Sequence, residues 1–225
     1  DARIEKGETK DEAILKELQI LIRDSKKIRF EGNGYGDEWE EEALKRGLNN
    51  LKDTPRALKA WSDKKFIQLF EEMNVLTARE LEARQEIEFE SYILKIQIEA
   101  RLMGDLVQTH IIPAVVEYQN KLLANIQGTM NAMGEKAGKE IAATQLDLLT
   151  KISTHLNKMI TTCDEMLQAR KIANKIEHAE EKAIAYCDDV RVYFDEIRYH
   201  ADKLELLIDD ELWPLPKFRE MLFTR

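Results

Sequence analysis

Apolar side chains recur along this chain at helical spacing rather than at the alternation of a strand. Over residues 9–27, Ile14, Leu18, Leu21 and Ile22, with Leu15 beside them, mark one helical face. The run Gly32-Asn33-Gly34-Tyr35-Gly36 breaks the period and predicts a loop with unusual backbone angles. Asp37 is placed to cap a short helix with an acidic first turn, closed by Gly47 after Lys45 and Arg46. Thr54-Pro55 opens another short helix, with Thr54 as cap and Pro55 in the first turn. Asp63 opens a fourth, which carries Phe66, Ile67, Leu69 and Phe70.

From Thr77 the pattern changes. Thr77 and Glu80 have capping-box spacing, in which hydroxyl and carboxylate each satisfy a free amide. Residues 78–107 hold no proline and a single glycine, Gly104. A helix from there to Ile112 would be roughly 50 Å long. Pro113 is expected to kink it without ending it, since Tyr118, Leu122, Leu123 and Ile126 keep the period. Two stripes run along the rod. One is Phe89, Ile93, Ile96, Ala100, Met103 and Val107; the other is Leu94, Ile98, Leu102 and Leu106. Two apolar faces predict a central rod that touches several neighbours.

Gly128, Gly134 and Gly138 mark the first corner. A second long helix is predicted over 139–175. Its seam of Leu149, Ile152, Leu156, Met159, Cys163 and Met166 has heptad steps. A third, over 176–209, carries Ile176, Ala179, Ala183, Tyr186, Val190, Phe194, Ile197, Ala201, Leu204 and Ile208. Its doubled four-residue step at Phe194 is a stutter, which relaxes a left-handed supercoil. An antiparallel turn near 174–178 is favoured over one uninterrupted rod. The fold class is therefore all-α: short helices over 1–76, then a long-helix antiparallel bundle with a proline-containing tail over 77–225.

Composition agrees and narrows function. Charged residues make up 34% of the chain, against about 25% in ordinary domains, and there are only nine glycines and four prolines in 225 residues. So few turn formers exclude sandwiches and propellers. A net charge of −9 argues against nucleic acid or an anionic membrane as main partner. The most apolar stretch, 102–116, contains Asp105, Gln108 and His110 and is too short to span a bilayer. Cys163 and Cys187 match no metal or redox motif and read as small core residues of a reducing, cytoplasmic setting. The chain opens on Asp1 without an initiator methionine or signal peptide, so a fragment of something longer is expected.

Candidate chemistry is sparse. The glycine loop lacks the Lys-Ser/Thr ending of a phosphate loop, and acidic residues follow it, so it reads as a turn. No two of His110, His155, His178 and His200 share a helix face at ligand spacing. Glu-x-x-His is absent, which weakens a di-metal helical oxidase. His110 is expected as a hydrogen-bonded core histidine. Lys95–Glu99 and Arg101–Asp105 are i, i+4 pairs, the latter expected to be buried and structural. From spacing alone the chain is a helical interaction or oligomerisation module, without catalytic, cofactor-binding or metal-ligating residues.

Longer strings are more specific. They are Gly32-Asn33-Gly34-Tyr35-Gly36-Asp37-Glu38-Trp39, Leu48-Asn49-Asn50-Leu51-Lys52-Asp53-Thr54-Pro55-Arg56-Ala57-Leu58 and Val75-Leu76-Thr77-Ala78-Arg79-Glu80-Leu81-Glu82-Ala83-Arg84. Ile98-Glu99-Ala100-Arg101, His110-Ile111-Ile112-Pro113-Ala114 and Tyr118-Gln119-Asn120 follow, and the tail runs from Leu212-Trp213-Pro214-Leu215-Pro216 to Phe223. In this order they resemble the C-terminal third of type III glutamine synthetases, the large-subunit bacterial form. Residues 48–92 also resemble the closing stretch of ordinary glutamine synthetases.

The resemblance implies a parent enzyme that makes glutamine from glutamate, ammonia and ATP with Mg or Mn, as a dodecamer of two rings. It further implies that 1–76 is the edge of the catalytic domain and 77–225 a helical extension. The partners it implies are the rest of the catalytic domain and further copies of the subunit. The family's metal, ATP and glutamate ligands belong to a strand-rich region that no motif here matches. The piece alone is therefore expected to be inactive and to set subunit packing, with exposed seam residues near Met159, Met166 or Phe194. A free-standing helical adaptor is the alternative.

Overall fold

The computed structural model describes residues 2–222, with the side chains of Phe218 and Arg219 left aside. Phe223, which ends the tail motif, lies outside the described residues. Among the described residues every regular element is helical. The chain divides into two compact units between Lys52 and Asp53.

In the first unit, α1 (Lys10–Asp24) starts at Thr9, where Thr9 and Glu12 form a reciprocal capping box. A 3₁₀ turn (Ser25–Ile28) follows it. The glycine loop then leads to α2 (Asp37–Lys45). Asn33 Oδ1 accepts from the Tyr35 amide at 3.0 Å, which folds the loop into a local turn. The cap of α2 is Gly36 rather than the expected Asp37, which is already the first helical residue. Asp37 therefore contributes charge to the positive helix end, not a capping bond. Gly47 adopts φ +71°, the left-handed turn that ends α2. Arg46 ties this unit together. Its guanidinium donates to the carbonyls of Lys26, Lys27 and Arg29, pairs with Glu42 at 2.7 Å and lies over Trp39, which stacks on Phe30.

The second unit begins with α3 (Thr54–Lys59) and α4 (Lys64–Glu72). Asp53, not Thr54, caps α3, accepting from the Arg56 amide at 2.9 Å. A carboxylate one residue earlier does what the hydroxyl was expected to do. Asp63 caps α4 as its position predicts. Helix α5 (Ala78–Leu106) opens on the Thr77–Glu80 capping box. It passes through a π turn (Val107–Ile111) into α6 (Ile112–Met133), so the rod continues past Pro113. The wider ladder over that turn accommodates a proline that can donate no helical hydrogen bond.

The first corner is Gly134, at φ +79°. The short α7 (Glu135–Ile141) lies against α6 so closely that a Cβ on Gly138 would come within 2.5 Å of Met130 Cα. Helix α8 (Ala143–Ala173) follows, and the chain reverses before α9 (Ala179–Ala185). A π turn (Tyr186–Val190) and a 3₁₀ turn (Arg191–Tyr193) lead into α10 (Phe194–Leu207). Asn174 meets Tyr186, and His155 meets His200, so α8 and α10 run antiparallel. The stutter at Phe194 coincides with the π and 3₁₀ turns; the extra residue is absorbed in the local ladder.

One core runs through this unit. Phe89, Ile93, Ile96, Ala100 and Val107 of the first rod share one buried cluster with the α8 seam of Ile152, Leu156, Met159, Cys163 and Met166. Ala183, Tyr186, Val190, Ile197, Leu204 and Ile208 close it from the third rod. In the tail, Trp213 is buried, and Leu212 and Leu215 pack on the same core. Lys217 fastens the tail by donating to the Glu205 carbonyl at 2.9 Å and pairing with Asp210.

Candidate interaction surfaces

The heptad seams are spent on the core. Met159 and Met166 are fully buried and Phe194 is half-buried, so the exposed seam residues expected there are not found. The unpartnered apolar surface lies elsewhere. On α1, Ile14, Leu15, Leu18, Leu21 and Ile22 stand 46–61% exposed, and the helix buries only Ala13. On α5, Ile87, Leu94, Ile98 and Leu102 are 55–57% exposed. Their spacings of seven, four and four residues place them on one helix face. Leu94, Ile98 and Leu102 of the second stripe therefore face outward while Leu106 is half-buried, and α5 still packs against α3, α4, α8 and α9 as the expected central rod. Single exposed aliphatics are ordinary on a protein surface, whereas aligned rows mark contact faces.

The predicted polar residues are dispersed. Arg101 and Asp105 are both exposed, and no ion pair joins them among the described residues, so the expected buried pair is absent. Both sit on the outward side of α5, where water solvates each separately. Lys95 and Glu99 are exposed as well. His110 is exposed, not a core residue, although its Nδ1 does lie 2.7 Å from Thr109 Oγ1. His178 precedes α9 and borders an open groove with Glu82, Glu86, Glu90 and Glu177.

Two polar clusters could not be read from spacing. Arg56 is held between Asp53 and Asp188, at 2.9 and 2.7 Å. Hydrogen bonding to Asp188 first, then to Asp53, holds its guanidinium charged, and the same bond to Arg56 lowers the Asp188 pKa. Beside it, burial and the Cys187 thiol push the Tyr92 hydroxyl well above the ordinary tyrosine range. The second cluster joins His155 of α8 to His200 of α10. Cys163 is buried, and burial raises its thiol pKa, which makes it an inert packing residue. Among the described residues no group of three or more His, Cys, Asp or Glu is arranged to hold a metal ion. No described helix is long and apolar enough to cross a membrane.

Residues 13–130, which run from within α1 to the last turn of α6, match the family described as Glutamine synthetase C-terminal domain. The chain belongs to that family. It is 42% identical to a glutamine synthetase of Bacteroides fragilis (strain YCH46), over 100% of this chain and 31% of that protein. It is 32% identical to a type-3 glutamine synthetase of Dictyostelium discoideum, over 95% of this chain and 31% of the relative. A glutamine synthetase of Butyrivibrio fibrisolvens is likewise 32% identical, over 97% of this chain and 31% of its own length. The chain thus spans about a third of the length of these curated relatives. As a member of this family it is all-α among its described residues, and its outward apolar rows lie on helices that the matched region covers.

Proposed function

We propose that the chain is the C-terminal third of a glutamine-forming ligase and that its part in that enzyme is mechanical. The parent joins ammonia to glutamate at the expense of ATP with a divalent metal, and the ligands for those groups belong to the upstream two-thirds. The piece described here seats against that upstream portion and against further copies of the subunit, and it makes no glutamine alone.

The supporting observation is the outward row on α1. An isolated helix of 15 residues is marginal in water, and most helix stability in proteins comes from covering an amphipathic face. With five large aliphatics uncovered, α1 has its caps in place and lacks its cover.

Reading the coding sequence ahead of Asp1 tests the proposal. A strand-rich region with paired glutamate ligands is expected. An initiator methionine immediately before Asp1 would overturn it in favour of a free-standing helical adaptor.

A further inference from the structure

Helices α8 and α10 form the main antiparallel pair of the second unit, and two imidazoles meet within their contact. His155 Nδ1 and His200 Nδ1 are 2.9 Å apart, with ring centroids at 5.1 Å and planes tilted by 53°. His200 is 9% exposed and His155 is half-buried. At this distance one nitrogen donates and the other accepts. The bond survives with both rings neutral, or with one charged. With both charged, two N–H groups point at each other and two like charges are forced together.

The surroundings set how readily the second charge enters. On α10, Glu196 lies 4.0 Å from His200 Nε2 and favours a cation, but its side chain is 54% exposed, so water screens the attraction. Tyr199 borders both rings, with the Lys203 ammonium 5.3 Å above its own. On α8, Lys158 opposes a cation at His200. Arg191, in the turn before α10, acts on Tyr92.

We propose that the His155–His200 pair makes the α8–α10 packing acid-sensitive: it holds the two helices while at most one ring is charged and loosens them when both are.

Desolvation first, then His155, depresses the His200 pKa below the ordinary histidine range, against the pull of Glu196. A histidine with a depressed folded pKa takes up its proton on unfolding. Its contribution to stability is complete above about pH 6.5 and is lost as pH falls through the folded value. One such proton changes the folded-to-unfolded ratio by up to about tenfold per pH unit.

The test is urea unfolding of the 225-residue chain between about pH 7.5 and 5, beside His200→Gln. Wild type is expected to lose stability below about pH 6.5 more steeply than the variant, by up to tenfold in the ratio per pH unit. Equal slopes would overturn the proposal. Should the variant fail to fold, histidine ring NMR of the wild type decides. A His200 midpoint below about 6.5 is expected, and one at or above it refutes the latch.

Discussion

Three glycines lie inside helices of the second unit, and the structure assigns each a different outcome on replacement by alanine. Propensity alone treats them alike, since alanine is better than glycine in a helix interior by about 1 kcal/mol. Packing separates them. At Gly128 of α6 an added Cβ meets nothing within 4 Å, so Gly128→Ala should stabilise by about 1 kcal/mol. At Gly104 of α5 the Cβ meets Leu167 Cδ2 at 3.1 Å, the end of a flexible side chain. There the strain and the propensity gain should nearly cancel, leaving Gly104→Ala within about 0.5 kcal/mol of wild type. At Gly138 of α7 the Cβ would meet Met130 Cα at 2.5 Å and Met130 N at 3.1 Å. Carbon atoms rest at about 3.5–4.0 Å, so α7 would have to move off α6 by roughly 1 Å. Overpacking of this kind costs about 1–3 kcal/mol, so after the propensity gain Gly138→Ala should destabilise by up to about 2 kcal/mol. Urea unfolding followed by far-UV circular dichroism reads all three as midpoint shifts. If Gly138→Ala is as stabilising as Gly128→Ala, the backbone-to-backbone corner between α6 and α7 is wrong.

Two smaller perturbations check other joints. Thr77→Ala removes the cap of the central rod and should cost about 1 kcal/mol in the same assay. Bonding to Thr77, from the backbone first and then the side chain, lowers the Glu80 pKa. The capping contribution is therefore complete above the ordinary carboxylate range and lost as pH falls through the depressed value, and Thr77→Ala should flatten that loss. Tyr186→Phe removes the 2.7 Å bond from the buried hydroxyl to Asn174 Oδ1 where the chain reverses, and should cost about 1 kcal/mol. No change in midpoint would mean that water serves Asn174 equally well.

Much of the bundle is legible in the order of apolar residues. Of the α8 seam, Ile152, Leu156, Met159, Cys163 and Met166 are buried, because a heptad step of three and four keeps one face turned to one partner. The stutter at Phe194 marked a real irregularity, though the backbone resolved it as a π turn. Caps shifted by one residue: at α3 the Asp53 carboxylate takes the free amide ahead of Thr54, and at α2 Gly36 holds the cap position with no side-chain bond at all. Charge on the rod misled for a different reason. Arg101 and Asp105 sit among apolar residues in sequence, but those residues, Ile98 and Leu102, themselves face outward. Periodicity identifies an apolar face and says nothing of whether the same chain covers it. The His155–His200 contact was invisible because 45 residues separate its partners, and only the register of two antiparallel helices brings them together.

The central claim is that the apolar face of α1 is an interface left bare in this chain. Covering the exposed half of five aliphatic side chains is worth about 4–7 kcal/mol before the costs of docking. Amide hydrogen exchange over Lys10–Asp24 measures this directly, in the 225-residue chain and in the longer ligase proposed above. The α1 amides are expected to exchange freely in the chain alone and to slow by about a hundredfold or more in the longer protein. Equal rates in both would contradict the account.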